Sequence, residues 1–308
     1  MRQLYLHIGL HKTGTSYLQE FLLANSKLLS KAGLGLVPVR SAPNSVHHYA
    51  ETLTREGPRA FLGGLDWTKA GNVLASSETL AHAFRDPSLA LDLRREATKQ
   101  DIRVIIILFL RRQDFLKESV FSEVVKTWYC GSIRDENHYD YDFNRRLTNL
   151  EGAFGLENIK LCLYRDNART PLRGLLLEQL DLGLNPEKLT DVAHQNIRMH
   201  RRKTLFMSQV PKQDKKLSWH VLKTVRETKL IKDDGYKYLL SPQQRSDFLT
   251  QYVEGNVALT ERYALPEARW FTDTRPLDAE WEPAEPIRPE EYMGVLIQAL
   301  RASASQRF

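Results

Sequence analysis

Residue types that can hold and move an anionic group crowd the start of the chain. Leu4-Tyr5-Leu6-His7-Ile8 reads as a short apolar strand, and Gly9-Leu10-His11-Lys12-Thr13-Gly14-Thr15-Ser16 leads from it into a helix. Two glycines allow a tight turn and close backbone approach to an anion. The first N–H groups of the following helix, with its dipole, point at the same spot. The result is a phosphate cradle with a lysine inside the turn and the hydroxyls of Thr13, Thr15 and Ser16 around it. The spacing comes close to the nucleotide loop G-x-x-x-x-G-K-[ST], but Thr15 stands where that loop has its lysine. A triphosphate loop needs the later lysine to reach the β and γ phosphates and a hydroxyl to hold magnesium. The plain alternative is a strand-turn-helix junction with a chance pair of glycines.

A second group lies at the end of the most apolar stretch, Ile102 to Leu110, which exits into Arg111-Arg112-Gln113-Asp114. Arg111 and Ser119 are eight positions apart across this strand-to-helix turn, so both side chains can reach one anion. Arginine offers a bidentate fork and serine a directed donor. A register shift of one residue would put Arg112 in the place of Arg111. Read instead as a solvated helix start, the arginine pair would set positive charge against the positive end of a helix dipole, which is unfavourable without an anion. A nucleotide triphosphatase would end such a strand in a magnesium-holding aspartate, and this one ends in arginines.

Alternating strands and helices position these groups. Residues 14 to 30 carry apolar side chains at helical spacing, and 33 to 39 read as a short strand. A helical segment opens at Asn44-Ser45 and runs to about Thr54, whereas Gly57-Pro58 and Gly63-Gly64 suggest a surface loop region. Asn72 to Ser76 reads as a buried strand, with Ser77-Glu78-Thr79-Leu80 turning it into a helix. A helix near 88 to 99 then precedes the central strand Ile102 to Leu110. A helix follows to about Trp128, Asp140 and Asp142 border another, and Asn158 to Tyr164 is the last clear strand. This alternation predicts an α/β fold with a doubly wound parallel sheet. Polar groups at the carboxyl ends of its strands face the ligand crevice. From 172 onward the pattern is largely helical. Ser241-Pro242-Gln243-Gln244 signals a helix start, with the helix expected to reach Tyr263. Four prolines, Pro276, Pro283, Pro286 and Pro289, mark an extended connector before a closing helix near 290 to 300.

The 308 residues, 42% hydrophobic and 27% charged, suit a globular protein with a sizeable core. A net charge of +6 favours anionic ligands. The basic residues are spread without aromatic interleaving, which argues against nucleic acid. Cys130 and Cys162 make neither a disulfide framework nor a metal spacing. His7 and His11 share i, i+4 spacing, but in a strand-loop setting that does not make a metal site. No apolar run approaches membrane-spanning length, and the N-terminus enters a strand at once. The expected setting is cytoplasmic and reducing.

Lys12-Thr13-Gly14-Thr15-Ser16 resembles the 5′-phosphosulfate loop of sulfotransferases that use 3′-phosphoadenosine-5′-phosphosulfate (PAPS). Arg111 and Ser119 resemble that family's grip on the 3′-phosphate, with Gln113 where many members have proline. Leu161 to Asp166 looks like the family's late strand and its polar exit, and Ser241 to Tyr263 is similar to the late helix of bacterial members. The resemblance implies a P-loop nucleotide-kinase-like fold with a helical C-terminal part. Residues 1–275 would be the sulfotransferase domain, and 276–308 a Pro-rich connector and C-terminal helix on or trailing it.

The implied reaction moves a sulfuryl group from PAPS to a hydroxyl or amine, with a small molecule or glycan, such as a carbohydrate or glycolipid, as acceptor. Adenosine 3′,5′-bisphosphate is released, and no metal is implied. Lys12 would meet charge developing on the leaving phosphate. His11, Thr13, Gly14, Thr15 and Ser16 would line the 5′ site, with His11 either a contact or a residue that only shapes it, while Arg111 and Ser119 fix the other end. Family members use a glutamate or a histidine as base. Glu78 comes first, with a helix-capping carboxylate as the alternative, and His47 and His48 follow. Arg201-Arg202-Lys203 reads either as a further basic contact or as a solvated helix face. Trp67, Trp128 and Trp219 are candidates for stacking on adenine or sugar, or for the core. Two other functions remain open: a kinase using ATP and magnesium, and a non-catalytic module that binds adenosine bisphosphate.

Overall fold

The computed structural model describes residues 1–37, 45–68, 70–165, 171–192, 199–265, 268–275 and 280–304, with the side chains of 45–49 outside that description. The end of the expected strand at 38–39, Asp166 and Pro276 also lie outside it. In chain order the elements begin β1 (Arg2–His7), α1 (Thr15–Ala24), α2 (Ser26–Lys31), β2 (Leu34–Leu36), α3 (Ser45–Arg55) and α4 (Pro58–Gly63). Next come β3 (Asn72–Ser76), α5 (Thr79–Ala83), α6 (Pro87–Lys99), β4 (Ile102–Arg111) and α7 (Gln113–Thr127). They continue with α8 (Phe143–Phe154), β5 (Ile159–Tyr164), α9 (Leu172–Leu180), α10 (Arg201–Gln209) and α11 (Lys215–Glu227). The chain closes with α12 (Pro242–Thr250), α13 (Val253–Arg262), α14 (Ala268–Thr272) and α15 (Pro289–Ala304). Two compact units form, one from residues 1–112, 142–195 and 254–272, the other from 113–141, 196–253 and 273–308.

The first unit is built on a five-stranded parallel sheet in the order β2-β3-β1-β4-β5. Its second half is spelled by β4: Ile-Arg-Val-Ile-Ile-Ile-Leu-Phe-Leu-Arg is rich in branched side chains and buried from Val104 to Leu110, as a strand covered on both faces requires. One face packs Tyr5, Ile105, Ile107 and Phe109 against Leu18, Phe21 and Leu22 of α1 and Leu176, Leu177 and Leu180 of α9. α6 and α8 start as their sequences dictate. Asp86 accepts from the Ser88 N–H with Pro87 in the first turn, and Asp142 accepts from the Arg145 N–H.

In two places the first unit departs from the pattern. The single helix expected over 14–30 is broken at Asn25. Its amide donates to the Phe21 and Thr190 carbonyls and its oxygen accepts from the Thr190 N–H, ending one helix and starting the next. The loop expected around Gly57 to Gly64 contains α4, with Pro58 in its first turn and Phe61 and Leu62 buried. Two apolar side chains on one turn outweigh the flanking glycines.

The second unit is helical. Phe121 and Val125 of α7 pack with Phe206 and Met207 of α10, Val221, Leu222 and Val225 of α11, and Val295 and Ala299 of α15. The capping box at Ser241 and Gln244 forms as the sequence predicts. The helical run expected to reach Tyr263 is interrupted only at 251–252, where Tyr252 donates to the Leu249 carbonyl and tightens the turn; α12 ends at Thr250 and α13 runs from Val253 to Arg262. Buried ion pairs run through this unit. Arg245 bonds Asp114 and, at 2.7 Å, Glu118, and Glu118 also accepts from the Leu239 and Leu240 N–H groups. Arg201 and Arg202 are likewise buried, against Asp234 and Glu291, so they do not form a solvated helix face. Among the described residues no helix is long and apolar enough to cross a membrane.

Candidate functional site

β1 is the centre of the sheet, and its carboxyl end sets the position of the glycine loop. Parallel register aligns His7 with Ser76 of β3 and with Ile107 of β4. Ile8 N donates to the Ile107 carbonyl and Ser77 N to the His7 carbonyl, at 3.1 and 3.0 Å, so the chain stays pinned until it turns. β4 continues past that point to Arg111, which pairs with Tyr164 of β5. The loop, the β3–α5 turn and Arg111 therefore share one edge of the first unit's sheet, where α/β proteins bind ligands.

The loop turns through left-handed backbone at two positions, Lys12 (φ 65°) and Gly14 (φ 81°). Glycine adopts this region freely, while a lysine held there carries strain of about 1 kcal/mol. The Thr13 hydroxyl donates to the Leu10 carbonyl at 2.7 Å and locks the turn. Gly14 is the N-cap of α1, which has no side-chain cap and no acidic residue in its first turn. The helix thus presents its N-terminus without a side chain to occupy it. Thr15 is buried, and its Oγ1 makes no hydrogen bond of ordinary geometry, although it lies near enough to Glu78 to help hold that carboxyl's pKa down. A Cβ on Gly9 would stand 2.3 Å from this hydroxyl, so glycine is what lets Thr15 sit over the turn. Ser16 is exposed.

Beside the loop stands a chain of three titratable groups. Glu78, the N-cap residue of α5, makes no capping bond; its carboxylate accepts from His11 Nδ1 at 2.8 Å. A carboxylate can only accept, so the proton belongs to Nδ1. Burial pushes the Glu78 carboxyl up, but the bond and charge of His11, with Lys12 further off, outweigh it and leave its pKa below the ordinary value. His11 Nε2 lies 2.9 Å from His82 Nε2. Burial, then the charges of Arg85, His11 and Arg146, hold His82 down at about 4. His7 turns away from His11 to Ser76 Oγ at 2.8 Å, and burial lowers it to about 4. His82 escaped the sequence reading, although its spacing of four from Glu78 at a helix start was the signal for a shared face.

Arg111 donates to the Lys12 carbonyl at 3.0 Å, and its guanidinium lies over the Tyr164 ring at 5.2 Å. Arg112 is buried, donates to the Trp270 carbonyl and stacks on that ring, which Arg165 also faces. Ser119 lies on α7, in the second unit. His47 and His48 belong to α3, and their side chains fall outside the described residues. Lys203 donates to the Arg226 carbonyl. Trp128 and Trp219 are exposed, and the Trp67 ring carries the Arg2 guanidinium at 5.0 Å.

No protein-family model matches the sequence, and no curated protein matches it. In structure the chain is similar to a sulfotransferase from Alicyclobacillus acidocaldarius, with a TM-score of 0.50 and 14% identity over 88% of this chain and 99% of that one. At such identity the likeness concerns the fold: an α/β architecture with a parallel sheet flanked by helices, of the P-loop-like sulfotransferase kind.

Proposed function

We propose that this protein is a sulfotransferase that takes its sulfuryl group from PAPS. The acceptor is a hydroxyl or amine of a small molecule or glycan, a carbohydrate or glycolipid above all, and adenosine 3′,5′-bisphosphate is the other product. The observation that carries the reading is the uncapped N-terminus of α1 beneath a glycine turn that contains Lys12 and buries the unpartnered Thr15 hydroxyl. A buried donor without a partner fits an anion that accepts from it. The sulfotransferase likeness of the fold is consistent with this.

When bound, PAPS supplies an activated sulfuryl group on a phosphate that can leave. Thr13 and Gly14 would hold the 5′-phosphate through backbone N–H groups, and Thr15 and Ser16 through backbone N–H and hydroxyl donors, with His11 at the rim. Lys12 would neutralise charge building on the leaving phosphate, which a cation in a fixed position does without reorganising. On sequence spacing, Arg111 and Ser119 are assigned to the 3′-phosphate. Glu78 is assigned as the base that takes the acceptor's proton, in preference to His47 and His48, because it stands beside the loop with its carboxylate ionised.

Arg111→Ala tests the donor assignment. The variant should weaken adenosine 3′,5′-bisphosphate by about tenfold or more, the scale of a charged hydrogen bond, and adenosine 5′-phosphate much less, since only the former has a 3′-phosphate. Equal weakening of both would remove Arg111 from the 3′ site.

A further inference from the structure

Two imidazoles whose Nε2 atoms lie 2.9 Å apart share one proton, and the Nδ1 atom of one of them, His11, is committed to Glu78 at 2.8 Å. We propose that Glu78, His11 and His82 form a proton wire, with His82 as its outward end. The wire rests on the sulfuryl-transfer reading in that uptake of the acceptor's proton by Glu78 is what sets it in motion.

The geometry is continuous. Glu78 is the most enclosed of the three, with its side chain 28% exposed against 41% for His11, and His82 is open to solvent. The His11 and His82 rings stand 5.1 Å apart between centroids and are tilted by 48°, so they meet through their nitrogens rather than stacking. The charged groups acting on His82 come from every side: Arg85 beyond the end of its own helix, Arg146 from α8, and His11 and Glu78 from the loop and the β3–α5 turn. Cations outnumber the single carboxylate. The His82 side chain is exposed, so a proton that reaches it passes on to water.

The protons balance. The wire starts with Glu78 as carboxylate, His11 carrying protons on both nitrogens and His82 carrying one on Nδ1. The acceptor's O–H or N–H bond breaks as its proton bonds to the free oxygen of Glu78. The Nε2 proton of His11 passes to His82 Nε2, and the Nδ1 proton of His82 leaves to solvent. One proton enters, one departs, and the three groups hold three before and after. Once the product has gone, Glu78 gives its proton to water and His11 takes one back on Nε2 by way of His82, which restores the starting arrangement. His82 touches no reacting atom, so it is a positioning and relay residue, distinct from the base.

The test uses the full chain and His82→Gln, which keeps a hydrogen-bonding atom for His11 but cannot relay. The variant should lose about tenfold in turnover in weak buffer, a fraction of the 10²- to 10⁴-fold that acid-base catalysis supplies. Its affinity for adenosine 3′,5′-bisphosphate should be unchanged. Added imidazole should restore the rate in proportion to its concentration, and the solvent deuterium isotope effect should grow. Unchanged turnover, or a loss that imidazole does not repair, overturns the wire. Independently of activity, ¹⁵N NMR of the wild-type chain should show scalar coupling across the hydrogen bond between the His11 and His82 Nε2 atoms, absent in His82→Gln. No coupling in the wild type also overturns the proposal. A wild-type chain that moves no sulfuryl group from PAPS refutes the function reading, and the coupling then still decides whether the wire exists.

Discussion

Thr15→Val separates the cost of the loop from its use. The Thr15 side chain is buried, and its hydroxyl makes no hydrogen bond of ordinary geometry, so the ligand-free fold carries a desolvated donor whose one return is its pull on the Glu78 carboxylate. Such a group costs about 1–3 kcal/mol. Valine has the same branching and nearly the same helix propensity, and Thr15 begins α1 rather than sitting inside it. The tight contact with Gly9, where a Cβ would stand 2.3 Å from the hydroxyl, leaves little room for a methyl and takes back part of the gain. The expected result is a chain about 1 kcal/mol more stable, read as a higher urea midpoint with an unchanged slope. The same variant should bind adenosine 3′,5′-bisphosphate at least tenfold more weakly, since a hydrogen bond to a charged group contributes about 1.5–3 kcal/mol. Calorimetric titration reads the second effect. A destabilised variant with full affinity would refute the reasoning, because the hydroxyl would then serve the fold and not the ligand.

Glu78→Gln should lower turnover with labelled PAPS by about 10²- to 10⁴-fold, the range of acid-base catalysis, with bisphosphate affinity retained; equal loss of both would make Glu78 a binding or structural residue. The Glu78 carboxyl has a folded-state pKa below the ordinary 4.5. Its stabilisation is therefore fully present above about pH 4.5 and is lost as pH falls through the folded value. Because the pair is partly exposed, its contribution is only about 1 kcal/mol or less. Denaturation of wild type and Glu78→Gln at neutral pH and near pH 3 should show that difference closing. Arg245→Met should cost about 3–5 kcal/mol by leaving Asp114 and Glu118 buried without their cation. Adding Asp114→Asn and Glu118→Gln should recover part of the loss, and a single variant as stable as wild type would deny the pair any role.

The sheet was legible because its signals are local. Asn72–Ser76 could be read to the residue, and Ile102 to Leu110 fell one short of the observed strand, since branched apolar runs between turn residues have few other fates. The glycine turn was legible for the same reason: Gly9, Lys12 and Gly14 encode their geometry within one loop. Longer-range effects were not legible. The break at Asn25 depends on Thr190, far along the chain, and the stop at Thr250 on how Tyr252 settles. Glu78 was singled out from its position at a strand end, but its partner His11 and the neighbour His82 appear only when β1 and β3 pair and bring the loop beside the turn. Arg201 and Arg202 read as a further basic contact or as surface charge because their partners, Asp234 and Glu291, are remote in sequence.

The most direct test of the central claim is a calorimetric titration of the purified chain with adenosine 3′,5′-bisphosphate and, in parallel, with ATP, each without and with magnesium. A clear preference for the bisphosphate that does not depend on the metal is the predicted result. Preference for ATP that emerges only when magnesium is added would contradict it and make the glycine loop a triphosphate site.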